Sequence, residues 1–140
     1  RHPKTNFVGV HVGGAPEDLK RVGEWLDKYP NFYLDTAARV PELGRQPYTS
    51  RRFFIKYQDR ILFGTDTTPI AGHKLAEDGQ EMFRIHWRWF ETDDEYFDAR
   101  KTHHLQSLWR VCGIYLPDDV LKKVYYENAV RLIPGLKVSP

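Results

Sequence analysis

The stretch that decides the fold is FVGVHVGGAPEDLKRVGEWLDKYPNFYLD, residues 7–35. Its first six residues are apolar apart from a glycine and a histidine, and they predict a buried strand over residues 7–12. From Pro16 to Tyr29 apolar residues recur at helical spacing, which predicts an amphipathic helix that stops at Pro30. FYLD at residues 32–35 predicts the next strand. The stretch is therefore a strand, a helix and a second strand joined by short turns.

The same alternation continues along the chain. Residues 42–57 predict a longer helix, interrupted near Gly44 and Pro47, and ILFG at residues 61–64 predicts a third strand. Strands without polar alternation are covered on both faces, and helical crossovers between them make neighbouring strands parallel. The pattern predicts an α/β fold with right-handed crossovers.

A different composition follows the third strand. Residues 70–116 are dense in aromatic and charged side chains, and we interpret them as an insertion or cap-like segment that includes a helix near residues 82–90. Such a segment either shapes a pocket beside the strand ends or packs against the domain. Helical periodicity returns after Pro117 and stops at Pro134. We predict a single domain over residues 1–140.

Composition narrows the classes of function. The 140 residues carry 21 Lys and Arg against 19 Asp and Glu, and this net charge of +2 argues against nucleic acid as a partner. No apolar run approaches the roughly 20 residues that cross a bilayer, so we expect no membrane partner and a cytoplasmic location. The single cysteine, Cys112, excludes an internal disulfide framework. Because the chain starts at Arg1 and its only methionine is Met82, we expect part of a longer product.

A polar side chain follows each predicted strand: His11 after the first, Asp35 after the second and Asp66 after the third. Parallel sheets place reactive groups at the carboxyl ends of their strands. An imidazole and a carboxylate that converge there could hold a divalent metal and move a proton. Each residue also has a structural interpretation: His11 as a structural or solvent-bonded residue, Asp66 as an N-cap or Asx-turn residue and Asp35 as an acceptor for backbone amides.

The remaining candidates carry weaker signals. His103 and His104 are adjacent, so their side chains point apart. We interpret His73 and His86 as surface or packing residues and Cys112 as a small buried apolar residue. A basic cluster is interpreted as a solvated helix face; its members are Arg45, Arg51, Arg52, Lys56 and Arg60. The motifs of dinucleotide sites, P-loops, zinc proteases and serine hydrolases are absent.

Three segments together resemble the C-terminal part of the amidohydrolase-related metal-dependent hydrolases, in the branch that includes aminocarboxymuconate-semialdehyde-decarboxylase-like proteins. They are residues 7–39, ELGRQPYTSRRFFIKYQDRILFGTD at 42–66 and LPDDVLKKVYYENAVRLIPG at 116–135. That family is a (β/α)8 TIM barrel, and the resemblance implies that the three predicted strands are its sixth, seventh and eighth.

The resemblance also implies roles for individual residues. His11 in HVGG matches a histidine that ligates the metal or acts as acid/base beside it. Asp66 in FGTD matches an aspartate that ligates the metal and can take a proton. Asn128 in YYENAVRL matches an asparagine of the closing helix, for which we expect a structural role. The implied cofactor is zinc or a similar divalent metal, and the implied reaction is hydrolysis, or decarboxylation, of a small organic substrate.

The match is partial. The family's H-x-H pair on the first strand and its histidine on the fifth have no counterpart here, and a barrel of this kind needs about 250 residues. We expect little activity from these 140 residues alone, and we expect the N-terminal barrel half or another copy of the chain to cover the open strand edges. The alternative is a non-catalytic barrel fragment that folds by oligomerising and acts as an association module. A small flavodoxin-like binding domain would need more than three parallel strands.

Overall fold

The structure is a computed structural model that describes residues 2–67, 75–99 and 108–137, with residues 75–78 described as backbone only. His73, His103 and His104 lie outside the described residues, so the predictions for them stay predictions. Within the described part, no helix has both the length and the apolar character that crossing a membrane requires.

The centre of the fold is a parallel sheet. Its strands are β1 (Phe7–Gly9), β2 (Phe32–Asp35) and β3 (Ile61–Leu62), and in the described part of the chain they form a sheet of three strands in the order β1-β2-β3. Gly9 pairs with Leu34, and Leu34 pairs with Ile61 on its other side. This confirms the predicted α/β organisation with parallel strands.

Helical segments connect and flank the strands. The described ones are α1 (Val10–Gly13), α2 (Leu19–Lys28), α3 (Val40–Leu43), α4 (Pro47–Lys56), α5 (Leu75–Glu91), α6 (Asp118–Lys122) and α7 (Asn128–Leu132), with a π-helical turn at Lys123–Glu127 that joins the last two.

Both outer strands are shorter than the sequence predicts. β1 ends at Gly9 instead of residue 12, because His11 and Val12 adopt left-handed backbone dihedrals that no strand allows. β3 ends at Leu62 instead of Gly64, because the backbone N–H of Gly64 donates to the side-chain Oγ1 of Thr36 at 3.1 Å and not to a backbone carbonyl of the ladder. On the other side of the chain, the backbone N–H of Phe63 donates to the carbonyl of Val124 in the π-helical turn at 2.9 Å.

Two predicted helices also have different bounds. α2 begins at Leu19 instead of Pro16, because the side chain of Asp18 caps it by accepting the Arg21 N–H at 3.1 Å. The predicted helix 42–57 is two helices, α3 and α4, which separate at the predicted interruption. Pro47 starts α4, where its missing N–H leaves no hydrogen bond unmade.

The described part of residues 70–116 packs into the main core. Trp89 and Phe90 of α5 are fully buried, and their rings meet the ring of Phe54 edge to face at centroid distances of 5.7 and 5.6 Å. Burial of such a side chain stabilises the fold by about 1.5–3 kcal/mol. His86, on the same helix, is also fully buried and contacts Phe63, so it is a packing residue.

The closing helix is tied to the sheet by one buried amide. Asn128 is fully buried, and its Nδ2 donates to the carbonyls of Gln58 and Ile61, each at 2.7 Å. These two carbonyls lie just before and within β3. Asn128 therefore has the structural role that the resemblance implies.

Candidate active site

The carboxyl ends of the three strands lie at one edge of the sheet because the strands are parallel. His11 lies two residues beyond the end of β1, Asp35 is the last residue of β2, and Asp66 lies four residues beyond β3. We call this the carboxyl edge. The two predicted site residues, His11 and Asp66, thus follow strand ends on the same side of the sheet.

His11 is held by both its backbone and its ring. Its backbone N–H donates to Asp35 Oδ1 at 2.8 Å, and its Nδ1 lies 2.8 Å from the carbonyl oxygen of Ala37. A carbonyl oxygen only accepts hydrogen bonds, so Nδ1 is the nitrogen that carries the proton. In the neutral ring Nε2 then keeps its lone pair, and no described residue forms a hydrogen bond with it. Nε2 is therefore the ring atom at which His11 can bind a ligand or a proton.

Asp35 anchors this arrangement from the neighbouring strand. The oxygen that accepts the His11 N–H also accepts the N–H of Ala37, at 3.1 Å. One carboxylate oxygen thus binds the backbone amides of His11 and Ala37. The carbonyl of Ala37 in turn binds the His11 ring. Asp35 has the amide-binding role that the sequence predicts for it.

The turn that carries His11 is strained. His11 and Val12 have φ values of 58° and 56°, and Gly13 and Gly14 continue the left-handed run at 67° and 76°. Each left-handed non-glycine residue costs roughly 1–2 kcal/mol, so the turn persists only because its surroundings hold it. Gly13 and Gly14 adopt left-handed φ values without the steric cost that other residues carry. This pair of glycines is the sequence signal for the turn.

Thr36 joins the end of β2 to the segment that leads to Asp66. Its backbone N–H donates to Leu62 O at 3.2 Å, its Oγ1 donates to Gly64 O at 3.0 Å, and the Gly64 N–H donates back to Oγ1 at 3.1 Å. Thr36 is fully buried, so these bonds are sheltered from water. The side chain continues the ladder past the end of β3. Asp66 follows two residues later, exposed and with a φ of 64°.

Sequence reasoning missed Thr36 and Ala37, although they connect the three strand ends. The available signal was a polar threonine directly after a buried strand, which needs a hydrogen-bond partner if it stays in the core. Ala37 gave no signal, because it acts through its backbone carbonyl and amide and not through its side chain.

The donor atoms at the carboxyl edge suit a divalent metal in part. A histidine whose Nδ1–H is bound to a backbone carbonyl presents Nε2 in the form that metals bind, and a carboxylate such as Asp66 supplies an oxygen ligand. Within residues 2–67, 75–99 and 108–137, however, no group of three or more His, Cys, Asp or Glu side chains is placed to hold a metal ion. A complete coordination sphere would take further ligands.

A protein-family model described as Amidohydrolase matches residues 1–135, which is nearly the whole chain. The chain belongs to the amidohydrolase family. Its membership indicates a hydrolase and confirms the predicted resemblance at the level of the family. Comparisons with curated proteins and with solved structures gave no match.

Proposed function

We propose that this amidohydrolase performs metal-dependent hydrolysis of a small organic substrate at the carboxyl edge, with decarboxylation as the variant reaction. The observation that carries the proposal is the His11 ring, whose Nδ1–H is bound to Ala37 O so that Nε2 is left for a ligand or a proton. In a solvated surface histidine both ring nitrogens bond to water, and no protein group selects one tautomer.

His11 and Asp66 would hold the metal, with zinc or a similar divalent ion as the expected species. A divalent metal bound there supplies a Lewis acid that lowers the pKa of water toward neutrality. His11 either ligates through Nε2 or moves a proton at that atom, and in both cases the Ala37 carbonyl holds the ring orientation. Asp66, exposed at the same edge, offers a carboxylate that can ligate or accept a proton.

We further propose that β1, β2 and β3 are the sixth, seventh and eighth strands of a (β/α)8 barrel. The outer side of β1 supports this, because Phe7 and Val8 are 46% and 44% exposed although they belong to an apolar strand. A neighbouring strand from the remaining barrel half, or from another copy of the chain, would cover them and satisfy the open backbone groups. The same partner would supply the missing ligands.

The test is calorimetric titration of the protein with Zn²⁺. We expect binding that His11→Ala and Asp66→Ala each weaken by at least about tenfold, since each removes a ligand atom. His2→Ala is the matched control, because His2 is exposed and lies away from the carboxyl edge, and it should bind as the wild type does.

Equal affinity in the wild type and both site variants would overturn the proposal. A protein that binds no Zn²⁺ and forms a defined oligomer in sedimentation would instead favour the non-catalytic association module. Exposed Phe7 and Val8 are the residues such an oligomer would bury, so Val8→Lys would separate its copies.

A further inference from the structure

A second concave site lies away from the carboxyl edge. It is a cleft of about 770 Å³ between the start of α4, residues 93–96 and the segment 110–115. Its lining shares no residue with the carboxyl edge; it consists of Gly44, Arg45, Pro47, Tyr48, Arg51, Asp93, Glu95, Tyr96, Arg110, Cys112, Gly113, Ile114 and Tyr115. A volume of this size is in the range of small-molecule sites.

Three arginines line the cleft, and the contacts that hold each of them within the described part of the chain are to a ring or a backbone carbonyl. The guanidinium of Arg45 lies over the ring of Trp109 at 4.7 Å. Arg51 donates from Nη1 to Ile114 O at 2.9 Å, and Arg110 donates from Nη1 to Tyr96 O at 3.1 Å. Among the described residues, none of the three forms an ion pair.

Arg45 is exposed, as predicted, but it lies in the turn between α3 and α4 and not on a helix face, whereas Arg51 lies on α4 and is half-buried. A guanidinium has five N–H donors, so one bond to a carbonyl leaves most of them unused. Ring stacking and the bonds to carbonyls limit the rotamers of the arginine side chains. Ligand binding therefore costs less side-chain conformational entropy. The arginines therefore present N–H donors that no ion pair within the described residues occupies.

The walls of the cleft are cross-linked by backbone hydrogen bonds. The N–H of Cys112 donates to Gly44 O at 2.9 Å, and the N–H of Gly113 donates to Asp94 O at 2.8 Å. Phe97 and Val111 exchange two bonds, each at 3.0 Å. These bonds join the three segments that form the walls. The shape of the cleft is therefore built into the fold.

Backbone strain is an independent sign of function here. Tyr96 and Tyr115 have φ values of 51° and 43°, and both rings are exposed, at 68% and 59%. The other left-handed non-glycine residues of the described part all follow the strand ends of the sheet: His11, Val12, Ala38 and Asp66. Strain of this kind concentrates at ligand sites. The cleft therefore shares this property with the candidate active site.

We propose that the cleft binds the carboxylate or phosphate group of a small ligand through Arg45, Arg51 and Arg110. The planar fork of a guanidinium matches both oxyanions with two parallel hydrogen bonds. Asp93 and Glu95 also line the cleft and lower its long-range positive potential. The recognition therefore depends on close contact with the arginine forks and does not depend on net charge.

The experiment is a ¹H–¹⁵N NMR titration of the chain with inorganic phosphate and, separately, with succinate, at ionic strength held constant with NaCl. We expect saturable shifts of the amides of Tyr96 and Gly113. Arg45→Ala and Arg110→Ala should each weaken binding by about fivefold or more, as loss of a charged hydrogen-bond pair predicts. Arg45→Lys should weaken it too, because a lysine keeps the charge and loses the fork.

Arg52→Ala is the matched control, because Arg52 is the neighbour of Arg51 on α4, is exposed and does not line the cleft. It should bind as the wild type does. Saturation with phosphate alone identifies a phosphate ligand, and saturation with succinate alone identifies a carboxylate. Shifts that do not saturate with either probe, or an equal loss of affinity in Arg52→Ala, would overturn the proposal. Circular dichroism of Arg45→Lys and Arg52→Ala confirms that the comparison is between folded proteins.

Discussion

Asp35 is the residue whose loss tests the architecture of the carboxyl edge most sharply. Its Oδ1 accepts the N–H of His11 at 2.8 Å and the N–H of Ala37 at 3.1 Å, and these bonds hold a turn with two strained non-glycine residues. A hydrogen bond to a charged acceptor contributes about 1.5–3 kcal/mol when sheltered. Because Asp35 is half-buried, we expect Asp35→Ala to lower the free energy of unfolding by about 2–3 kcal/mol for the two bonds together.

Urea unfolding followed by circular dichroism measures this change through the midpoint, with the slope serving as a check for two-state behaviour. Asp35→Asn should cost only about 1 kcal/mol, because the amide oxygen still accepts both N–H groups. Glu24→Ala removes an exposed acid from α2 and should change stability by less than about 0.5 kcal/mol. An Asp35→Ala protein that unfolds at the wild-type midpoint, or that loses no more stability than Glu24→Ala, would refute this role of Asp35.

Three further predictions concern stability. Asn128→Asp should lower the free energy of unfolding by about 3 kcal/mol or more in urea, because a carboxylate cannot donate to the two carbonyls that the buried amide serves; a loss below 1 kcal/mol would argue against this role. Burial, with the hydrogen bond to Glu91, raises the pKa of Tyr125 above its ordinary value of about 10. Its contribution is therefore present below about pH 10 and lost as the pH rises beyond it, so the stability of Tyr125→Phe should fall less between about pH 8 and about pH 10.5 than that of the wild type; an equal fall in both proteins would refute this. Gly13→Ala should cost more than Gly14→Ala in thermal unfolding, because both have left-handed φ values but only the Cβ at position 13 would meet a neighbour, the Trp25 ring at 3.3 Å; equal melting temperatures would contradict the packing argument.

Hydrophobic periodicity predicted the sheet and most helices because both form where apolar side chains are buried in the core. Leu34 and Ile61 are buried in the central and edge strands, and the apolar positions of α2 face the same core. Hydrophobic periodicity did not predict where β1 and β3 end. β1 ends because a side chain of another strand, Asp35, binds the backbone of His11. β3 ends because the N–H of Gly64 donates to the side chain of Thr36, 28 residues earlier. Such long-range bonds leave no local pattern.

The candidate site was accessible from the sequence only through its side chains. His11, Asp35 and Asp66 were found because each follows a strand, but the atom that fixes the His11 ring is a backbone carbonyl of an alanine. The cleft could not be predicted from the sequence for a similar reason. Its arginines are charged residues on a helix and loops, and only the folded structure shows that, within its described residues, they bind carbonyls and a ring and form no ion pair.

The central claim is that the fold holds His11 in the Nδ1–H form so that Nε2 can take a metal. Long-range ¹⁵N NMR of the histidine ring measures this directly, first on the free protein and then with added Zn²⁺. We predict a protonated Nδ1 and an unprotonated Nε2 in the free protein, and a change at Nε2 when Zn²⁺ is added. A proton on Nε2, or a His11 ring that Zn²⁺ leaves unchanged, would contradict the account.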